Sequence, residues 1–484
     1  MSSATNRARL SFSAHPWTYL VTGAVGSLGV SLASSSIGAT TRPTYYRWWL
    51  RVPLRSYAGA HVLLYASVAL LVTGWLGLGA LARRHELSVA RCWAALASWG
   101  LPLYVGAPVF SRDVYSYIAQ GELVQRGLNP YHVAPSVLGN GPLYYSMAAV
   151  WRTTTSPYGP LFLLWSHAGA AAAGHSLMIQ VLVFRVLELA GVVMIMIALP
   201  ILARHLNADP AVALWLGVVS PLALFSAVSS AHNDTLMIGL LVIAVTLAVK
   251  GLRRWALVLF AVAAAVKLPA LAGVVIFTAR DLRATSPRHR LRLVAEAVAI
   301  PGVVIVAITE LTGLGWTWLG PAALHIPTEL RVLTTPVVSL GVFIATLVRA
   351  VGFSVANHAV VTFVQYVGEV AVVVLLVALV LRVRDHNVVR LLGVSLFIVV
   401  VGSPTLWPWY LLWGLTLLGA TSAQGSAALA AVAAGSMLLV GPGGTPMIGG
   451  NGFYVTAPLV LLGLAWLARR QRWSGILAKD DRVH

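Results

Sequence analysis

Long apolar runs, separated by short polar or basic stretches, repeat along nearly the whole chain and constrain its fold more than any other feature. Hydrophobic residues make up 58% of the 484 residues, charged residues only 10%, and mean hydropathy is +0.83. Soluble domains carry about 25% charged residues, whereas a membrane-crossing helix needs ~20 mostly apolar residues. The runs are continuous rather than alternating, which favours helices over a barrel. The sequence therefore predicts an all-α polytopic membrane protein.

The runs predict about 12–15 membrane segments, each near the length of a span, within a single integral membrane domain over residues 1–484. The expected segments are 16–38, 58–80, 89–110, 157–175, 178–203, 208–230, 234–250, 255–280, 292–313, 335–352, 360–382, 387–402, 408–421, 425–440 and 453–469. The stretch 111–156 is polar and aromatic-rich, and it predicts a large first outer loop bearing interfacial helices. Proline disfavours helix in the preceding residue, so Lys267-Leu268-Pro269 predicts that 255–280 is a broken, re-entrant pair.

Basic residues indicate which loops face the cytoplasm, because short cytoplasmic loops concentrate Lys and Arg. The chain carries 33 basic and 14 acidic residues, a net charge of +19, and the basic clusters lie between spans. This placement favours membrane orientation and contact with anionic lipids over nucleic-acid binding. The polar regions then predicted on the outer face are 111–156, 229–234, 314–332 and the pair 403–410 with 441–453.

Cofactor motifs are missing from the sequence. The single cysteine, Cys92, excludes an intramolecular disulfide and any cysteine-based metal site. No Walker-type glycine loop, HExxH sequence or His/Cys cluster with metal spacing occurs. We therefore expect neither ATP-driven chemistry nor zinc hydrolysis.

Asp113 is the first candidate for chemistry, because acids are rare in this chain and a span end fixes its depth. Tyr117 and Gln120 follow at i+4 and i+7, on the same side of a predicted helix. One interpretation is an amphipathic helix on the membrane surface, with Asp113 as its N-cap. The other is a reactive carboxylate beside a sugar site. The pattern alone leaves both open.

Asp234 and Lys267 are further candidates with two interpretations each. Asp234 opens a span after His232 and Asn233, so it either caps that helix or forms a polar wall for sugar hydroxyls, with His232 or Asn233 as donors. Lys267 is one of three lysines and lies beside the proline break. It either snorkels to the interface or holds a lipid phosphate.

Aromatic and basic residues complete the candidates. Trp407, Trp409 and Tyr410 in "SPTLWPWYLLWG" are typical of an interfacial aromatic belt, and their faces can also stack on sugars. Arg331, in the 314–332 loop, is a candidate for holding an anionic headgroup. Tyr158 lies in a turn that leads into a helix.

Five stretches together resemble a known superfamily. They are "SRDVYSYIAQGELVQRGLNPYHV", "SPYGPLFLLWS", "AHNDTLMIGLL", "AVKLPALAG" and "SPTLWPWYLLWG", and they extend from about residue 111 to residue 413. The combination resembles the GT-C superfamily of membrane glycosyltransferases, which use polyprenyl-phosphate sugars. Within it, the chain looks most like the actinobacterial α-1,6-mannosyltransferases that build the mannan backbone of lipomannan and lipoarabinomannan.

The resemblance implies a helical GT-C core, mannose transfer by inversion from polyprenyl-phosphate-mannose, and an active site on the outer face of the cytoplasmic membrane. Asp113 would be the base. Lys267, Arg331 or His232 would bind the donor phosphate without metal. Acceptor or sugar contacts would come from Tyr117, Gln120, Asn233, Asp234, Tyr158, Trp407, Trp409 and Tyr410. The acceptor would be mannosylated phosphatidylinositol or lipomannan, and we expect a monomer with no cofactor.

Three alternatives stay open at this point. An arabinofuranosyltransferase of the same superfamily is the nearest, although those enzymes commonly carry a soluble carbohydrate-binding domain that this sequence lacks after residue 469. A lipid or sugar transporter would more often show inverted repeats and ionisable residues near the midplane. A non-catalytic scaffold is the third.

Overall fold

The computed structural model of the chain describes residues 15–40, 48, 56–174, 176–320, 335–353, 356–421 and 426–445. All regular elements in these ranges are helices. In chain order the helices are α1 (Pro16–Ile37), α2 (Tyr57–Arg83), α3 (Val89–Val105), α4 (Asp113–Gln125), α5 (Pro160–Ala173), α6 (Leu177–His205), α7 (Pro210–Gly217), α8 (Pro221–Ser229), α9 (Asp234–Val249), α10 (Arg253–Ala264), α11 (Ala272–Ala284), α12 (Pro287–Thr312), α13 (Pro336–Ala350), α14 (Asn357–Val380), α15 (Val388–Gly402), α16 (Leu412–Gly419) and α17 (Ser426–Ser436). The protein is an all-α polytopic membrane protein.

Membrane-length helices are fewer than the apolar runs in the sequence. Among the described residues, six helices are long and apolar enough to span a membrane, or seven if α7 and α8 form one span bent by 50°. The predicted segments 157–175 and 335–352 fold as helices of 14 and 15 residues. The segment 453–469 lies outside the described residues. Apolar content indicates burial in either lipid or protein, so an apolar run in the sequence need not fold as one membrane-length helix.

Helices α1 and α2 pack closely through small residues. A Cβ added at Gly26 would lie 2.5 Å from the Leu71 backbone nitrogen, and one added at Gly74 would lie 2.8 Å from that of Gly23. Such contacts let helix backbones approach in a membrane, where van der Waals packing rather than the hydrophobic effect drives association.

Helix α4 is buried, where the sequence suggested an amphipathic helix on the membrane surface. Ten of its 13 residues are buried, including polar residues on the Asp113 side. The helix packs against α5 at Gly121, where an added Cβ would lie 2.2 Å from the Ser166 carbonyl oxygen. After α4 the loop continues through short helical turns at Pro135–Leu138, Pro142–Ser146 and Ala149–Arg152. Close packing on α5 removes the exposed face that an interfacial helix needs.

A break divides the segment from 253 to 284. Helix α10 ends at Ala264, Lys267 is extended, a 3₁₀ turn covers Leu268–Leu271, and α11 follows. Gly159, just before α5, donates its backbone N–H to the Val266 carbonyl at 3.1 Å. The break therefore lies against the end of the first outer loop. Re-entry into a membrane stays a prediction.

Charged residues form a separate network at the other end of α10 and α11. Arg253 donates to Asp281 Oδ2 and to Glu296 Oε2, both at 2.8 Å. Arg254 also donates to Glu296, at 2.8 Å. The sequence predicts a cytoplasmic position for these residues.

Candidate active site

The first outer loop contacts other polar stretches that are distant in sequence. Next to Asp113, the Arg112 Nε donates to the Gly443 carbonyl oxygen at 2.7 Å. Asn129 donates to the Leu314 carbonyl oxygen at 2.8 Å. Regions that the positive-inside pattern assigned to one face are thus joined in one structure.

The Asp113 carboxylate is directed into this region and does not cap its helix. Arg112 is the N-cap residue of α4, and the cap has no side-chain hydrogen bond. Asp113 is only 7% exposed. Trp151 Nε1 donates to its Oδ1 at 2.9 Å, and its Oδ2 lies 3.6 Å from His232 Nε2. The interpretation of Asp113 as an N-cap is therefore wrong.

The His232 imidazole is held on both nitrogens. Its Nδ1 lies 3.0 Å from the Ser226 carbonyl oxygen and its Nε2 lies 2.9 Å from Ser111 Oγ. A carbonyl only accepts, so Nδ1 carries the proton and Nε2 of the neutral ring accepts from the serine hydroxyl. The ring stacks on Trp409 with centroids 3.9 Å apart. His232 thus joins the 229–234 and 403–410 stretches to Asp113.

Asp234 forms a buried ion pair with Lys267. Asn233, not Asp234, is the N-cap residue of α9, and no side chain caps that helix. Lys267 Nζ donates to Asp234 Oδ1 at 2.7 Å, and Trp413 Nε1 donates to the same oxygen at 2.6 Å. Asp234 is 1% exposed. The lysine is therefore anchored inside the site and does not snorkel to an interface.

Aromatic rings surround the Lys267 ammonium. Its Nζ lies 4.2 Å from the Tyr410 ring centroid, 5.2 Å from that of Trp413 and 5.9 Å from that of Tyr158. Cations are attracted to aromatic faces at such distances. Burial raises the pKa of Tyr158 well above its usual range, so its hydroxyl stays protonated. The site combines one cation with ring faces and hydroxyl groups.

Polar groups on α4 face the start of α9 and the end of the loop. The Tyr117 hydroxyl lies 3.5 Å from Asn233 Oδ1, and Ser156 Oγ donates to Gln120 Oε1 at 2.9 Å. Asn233 Nδ2 and Asp234 Oδ2 are buried and have no hydrogen-bond partner among the residues that the structure describes. Buried polar atoms without partners are costly. These two can bind hydroxyl groups of a substrate.

Comparison with known proteins shows which family has a similar sequence. Residues 20–280 match the family described as "Alpha-(1->6)-mannopyranosyltransferase, N-terminal domain", and residues 336–470 match the "MptB C-terminal domain". Alpha-(1->6)-mannopyranosyltransferase A of Mycobacterium tuberculosis is 33% identical over 77% of this chain and 73% of that protein. The chain belongs to the α-(1→6)-mannopyranosyltransferase family.

Other relatives of this family cover more of the chain. A second α-(1→6)-mannopyranosyltransferase of Mycobacterium tuberculosis is 29% identical over 95% of this chain and 88% of its own length. A probable α-(1→6)-mannopyranosyltransferase of Mycolicibacterium smegmatis is 30% identical over 93% and 88%. No solved structure matches the chain. The family model over residues 20–280 includes Asp113, His232, Asp234 and Lys267.

Most of the site residues predicted from the sequence lie in one cluster, in which hydrogen bonds, ion pairs and ring contacts link neighbouring residues. The connected residues are Asp113, Tyr117, Gln120, Tyr158, His232, Asn233, Asp234, Lys267, Trp409 and Tyr410. Trp407 is one ring further out and stacks on Trp409 with centroids 4.8 Å apart. Arg331 lies outside the described residues. The functional role of each residue stays a prediction.

Three contacts at the site were missed in the sequence. Trp151, in the first outer loop, holds the Asp113 carboxylate, and Ser111 holds the His232 ring. Trp413, the last tryptophan of the "SPTLWPWYLLWG" stretch, holds Asp234. A tryptophan in a polar loop and a serine two residues before an acid were the available signals. Both are too common to select a site without the fold.

Possible metal ligands do not cluster in the described part of the chain. No group of three or more His, Cys, Asp or Glu side chains comes together there. Metal-independent action stays a prediction from the sequence.

Proposed function

We propose that this protein is a membrane mannosyltransferase that transfers mannose from polyprenyl-phosphate-mannose to a growing α-1,6-mannan lipoglycan. The acceptor would be mannosylated phosphatidylinositol or lipomannan, and the reaction would take place on the outer face of the cytoplasmic membrane. The family assignment supports the sugar and the linkage. The observation that carries the mechanism is a buried carboxylate, Asp113, in the same polar cluster as the Lys267 ammonium.

In this mechanism Asp113 is the general base. Its carboxylate takes the proton from an acceptor mannose hydroxyl while that oxygen forms a bond to the donor anomeric carbon. The bond from the anomeric carbon to the phosphate oxygen breaks, and polyprenyl phosphate leaves. Attack opposite the leaving group inverts a β-linked donor to an α product. Trp151 keeps the carboxylate oriented, since its indole N–H is bonded to Oδ1.

Lys267 would stabilise the phosphate that leaves. Its ammonium has three N–H groups and one of them is on Asp234, which leaves two for phosphate oxygens. Preorganised positive charge at a developing anion lowers the barrier without any metal. Arg331 is proposed as a second phosphate ligand.

Sugar recognition would involve the polar wall and the rings. Asn233 Nδ2 and Asp234 Oδ2 would bind mannose hydroxyls, which pairs both buried atoms. Tyr117, Gln120 and Tyr158 would line the acceptor side. The rings of Trp407, Trp409 and Tyr410 would pack on sugar or prenyl groups.

The test is mannose transfer by purified protein in lipid. Asp113→Asn keeps the shape and hydrogen bonds of the side chain but removes the base, so turnover should fall ~100-fold or more, as general-base loss does. The matched control is Glu122→Gln, which removes a carboxylate from the same helix where it is bonded to Gln180 and not to the cluster. Near-normal turnover of Asp113→Asn would refute the base assignment.

Two measurements separate the mannosyltransferase from the arabinofuranosyltransferase and from the transporter: the preferred sugar donor, and the movement of lipid-linked sugar across the membrane. The same preparation receives polyprenyl-phosphate-mannose or polyprenyl-phosphate-arabinose with an α-1,6-mannoside acceptor. Preferential arabinose transfer would replace the proposal with the arabinofuranosyltransferase. Lipid-linked sugar crossing the vesicle membrane without product formation would replace it with a transporter.

A further inference from the structure

The backbone is strained at the two residues that precede Ser111 and His232. Phe110 has φ +70° and Ala231 has φ +50°, a left-handed conformation that is uncommon for residues with a Cβ. Strain of this kind persists only where the surrounding structure enforces it, and it concentrates at functional sites. The rings of Phe110 and Phe225 pack edge to face with centroids 4.9 Å apart, which joins Phe110 to the helical turn that leads to Ala231. Ser111 and His232 are thus held in fixed positions.

A π-helical turn fixes the protonation pattern of the imidazole. Leu224–Ser229 is π-helical, a form frequent at functional sites, and the Ser226 carbonyl lies within it. That carbonyl accepts from the His232 backbone N–H at 3.0 Å and from the His232 Nδ1 at 3.0 Å. The backbone bond fixes the position of His232 relative to this carbonyl. A rotation of the ring would therefore break the hydrogen bond from Nδ1–H to Ser226. The Nε2 lone pair is therefore the accepting end of the ring, and it faces Ser111 and Asp113.

Ser111 shows which way the hydrogen bonds run. Its Oγ accepts from the Asp113 backbone N–H at 3.2 Å and so donates to His232 Nε2 at 2.9 Å. Asp113 Oδ2 lies 3.6 Å from the same Nε2. Catalytic hydrogen bonds are often long in the free enzyme and shorten when substrate binds. His232 Nε2 is thus a proton acceptor within reach of the proposed base.

His232 is buried next to Asp113, where it can take a proton from that residue. His232 is 1% exposed, and its ring is covered by Trp409. A base at Asp113 that gains a proton from the acceptor hydroxyl has to lose it before the next cycle. The titratable or charged group that faces His232 Nε2 in the described residues is Asp113, from α4; the other elements around the ring present Ser111, the Ser226 carbonyl and Trp409.

We propose that His232 is a positioning residue for Asp113 that also receives the proton from it, and that it does not bind the donor phosphate. The inference rests on the proposed function. The acceptor hydroxyl proton passes to Asp113 Oδ2 and then to His232 Nε2. This leaves Asp113 as carboxylate and His232 as imidazolium, with Nδ1–H still on Ser226. Net charge is conserved. The Ser111 hydroxyl turns from donor to acceptor as Nε2 gains its hydrogen. The imidazolium gives that proton to water after the product leaves, which restores the neutral ring.

Two substitutions separate proton transfer from positioning. His232→Gln places an amide near the Nε2 position, so it can keep bonds to Ser111 and Asp113 but cannot accept a proton. His232→Phe keeps the ring stacked on Trp409 and loses both nitrogens. We expect kcat of His232→Gln to fall ~100-fold, in the range of lost acid–base groups, with the donor KM within about twofold of wild type. His232→Phe should lose at least as much. Gel filtration in detergent before and after the assay checks that each variant is folded.

Two other outcomes of the kinetic measurements would overturn the proposal in distinct ways. Near-normal kcat for His232→Gln together with an inactive His232→Phe would mean that His232 only positions Asp113. A raised donor KM with unchanged kcat would assign His232 to the phosphate. If both variants are misfolded, His232→Asn, which can keep the Ser226 bond, is measured by the same criteria. Wild-type protein without any mannose transfer would refute the proposed function itself.

Discussion

The ion pair between Lys267 and Asp234 should support both the fold and the reaction, and two variants separate these roles. Lys267→Met removes the ammonium and keeps a similar length. It leaves the Asp234 carboxylate buried at 1% exposure, with the Trp413 N–H as its remaining partner in the described part of the chain. In the double variant Asp234→Asn/Lys267→Met, the amide oxygen still accepts from Trp413, and no charge is buried.

The loss of stability expected for Lys267→Met follows from the burial of the ion pair. Removing one partner of a buried ion pair costs about 3–5 kcal/mol, because the other charge is left uncompensated, whereas replacing both by neutral groups is often close to neutral. The Lys267 side chain is 12% exposed and the Asp234 side chain is 1% exposed, so screening by solvent is small. We therefore expect Lys267→Met to be strongly destabilised and the double variant to recover most of that loss.

Stability is measured as the temperature at which half of the detergent-solubilised protein loses its monodisperse gel-filtration peak. Mannose transfer is measured on the same samples below that temperature. The control is Lys250→Met, a lysine at the end of α9 outside the cluster. The double variant should be stable and still deficient in transfer, because no ammonium meets the leaving phosphate.

Two results would refute this reasoning. If Lys267→Met loses its gel-filtration peak at the same temperature as the wild type, the buried ion pair does not stabilise the fold. If the double variant transfers mannose normally, Lys267 has no part in stabilising the phosphate, and its role is structural alone.

Further predictions concern groups around the cluster. Trp151→Phe keeps an aromatic ring but removes the N–H on Asp113, and hydrogen bonds to charged groups contribute about 1.5–3 kcal/mol, so kcat/KM should fall roughly tenfold to hundredfold; an unchanged value contradicts the orienting role. Gly159→Ala would place a Cβ 2.0 Å from the Ala265 carbonyl oxygen, so the yield of monodisperse protein should fall sharply. Gly302→Ala, whose Cβ meets nothing within 4 Å, is its control, and equal yields for both would contradict the packing argument.

The class of protein and the residues of interest could be predicted because both are local properties. Runs of apolar residues indicate membrane helices wherever the chain packs, and an acid or lysine in an apolar chain stands out without a structure. The same local view did not separate runs that fold as one membrane-length helix from runs that fold as shorter helices, and it left both interpretations of α4 open. An apolar or small residue looks the same in sequence whether lipid or another helix covers it, and Gly121 against Ser166 is such a case.

The roles of the acids needed the fold, because their partners are far apart in sequence. Asp113 and Asp234 each begin a helix, so a helix cap was a reasonable interpretation for both. Their actual partners lie 38 residues away for Trp151 and 179 residues away for Trp413. Periodicity and charge carry no information on such pairs.

By itself, the sequence determined that this is a helical membrane protein and which polar stretches carry the candidate residues. Only the tertiary structure decided that His232 faces Asp113 and that Lys267 is neutralised by Asp234. The physical reason is that hydropathy depends on composition along the chain, whereas a hydrogen bond depends on a few ångströms between side chains. These distances between side chains depend on how the helices, the strained turns and the broken segment at Lys267 pack together.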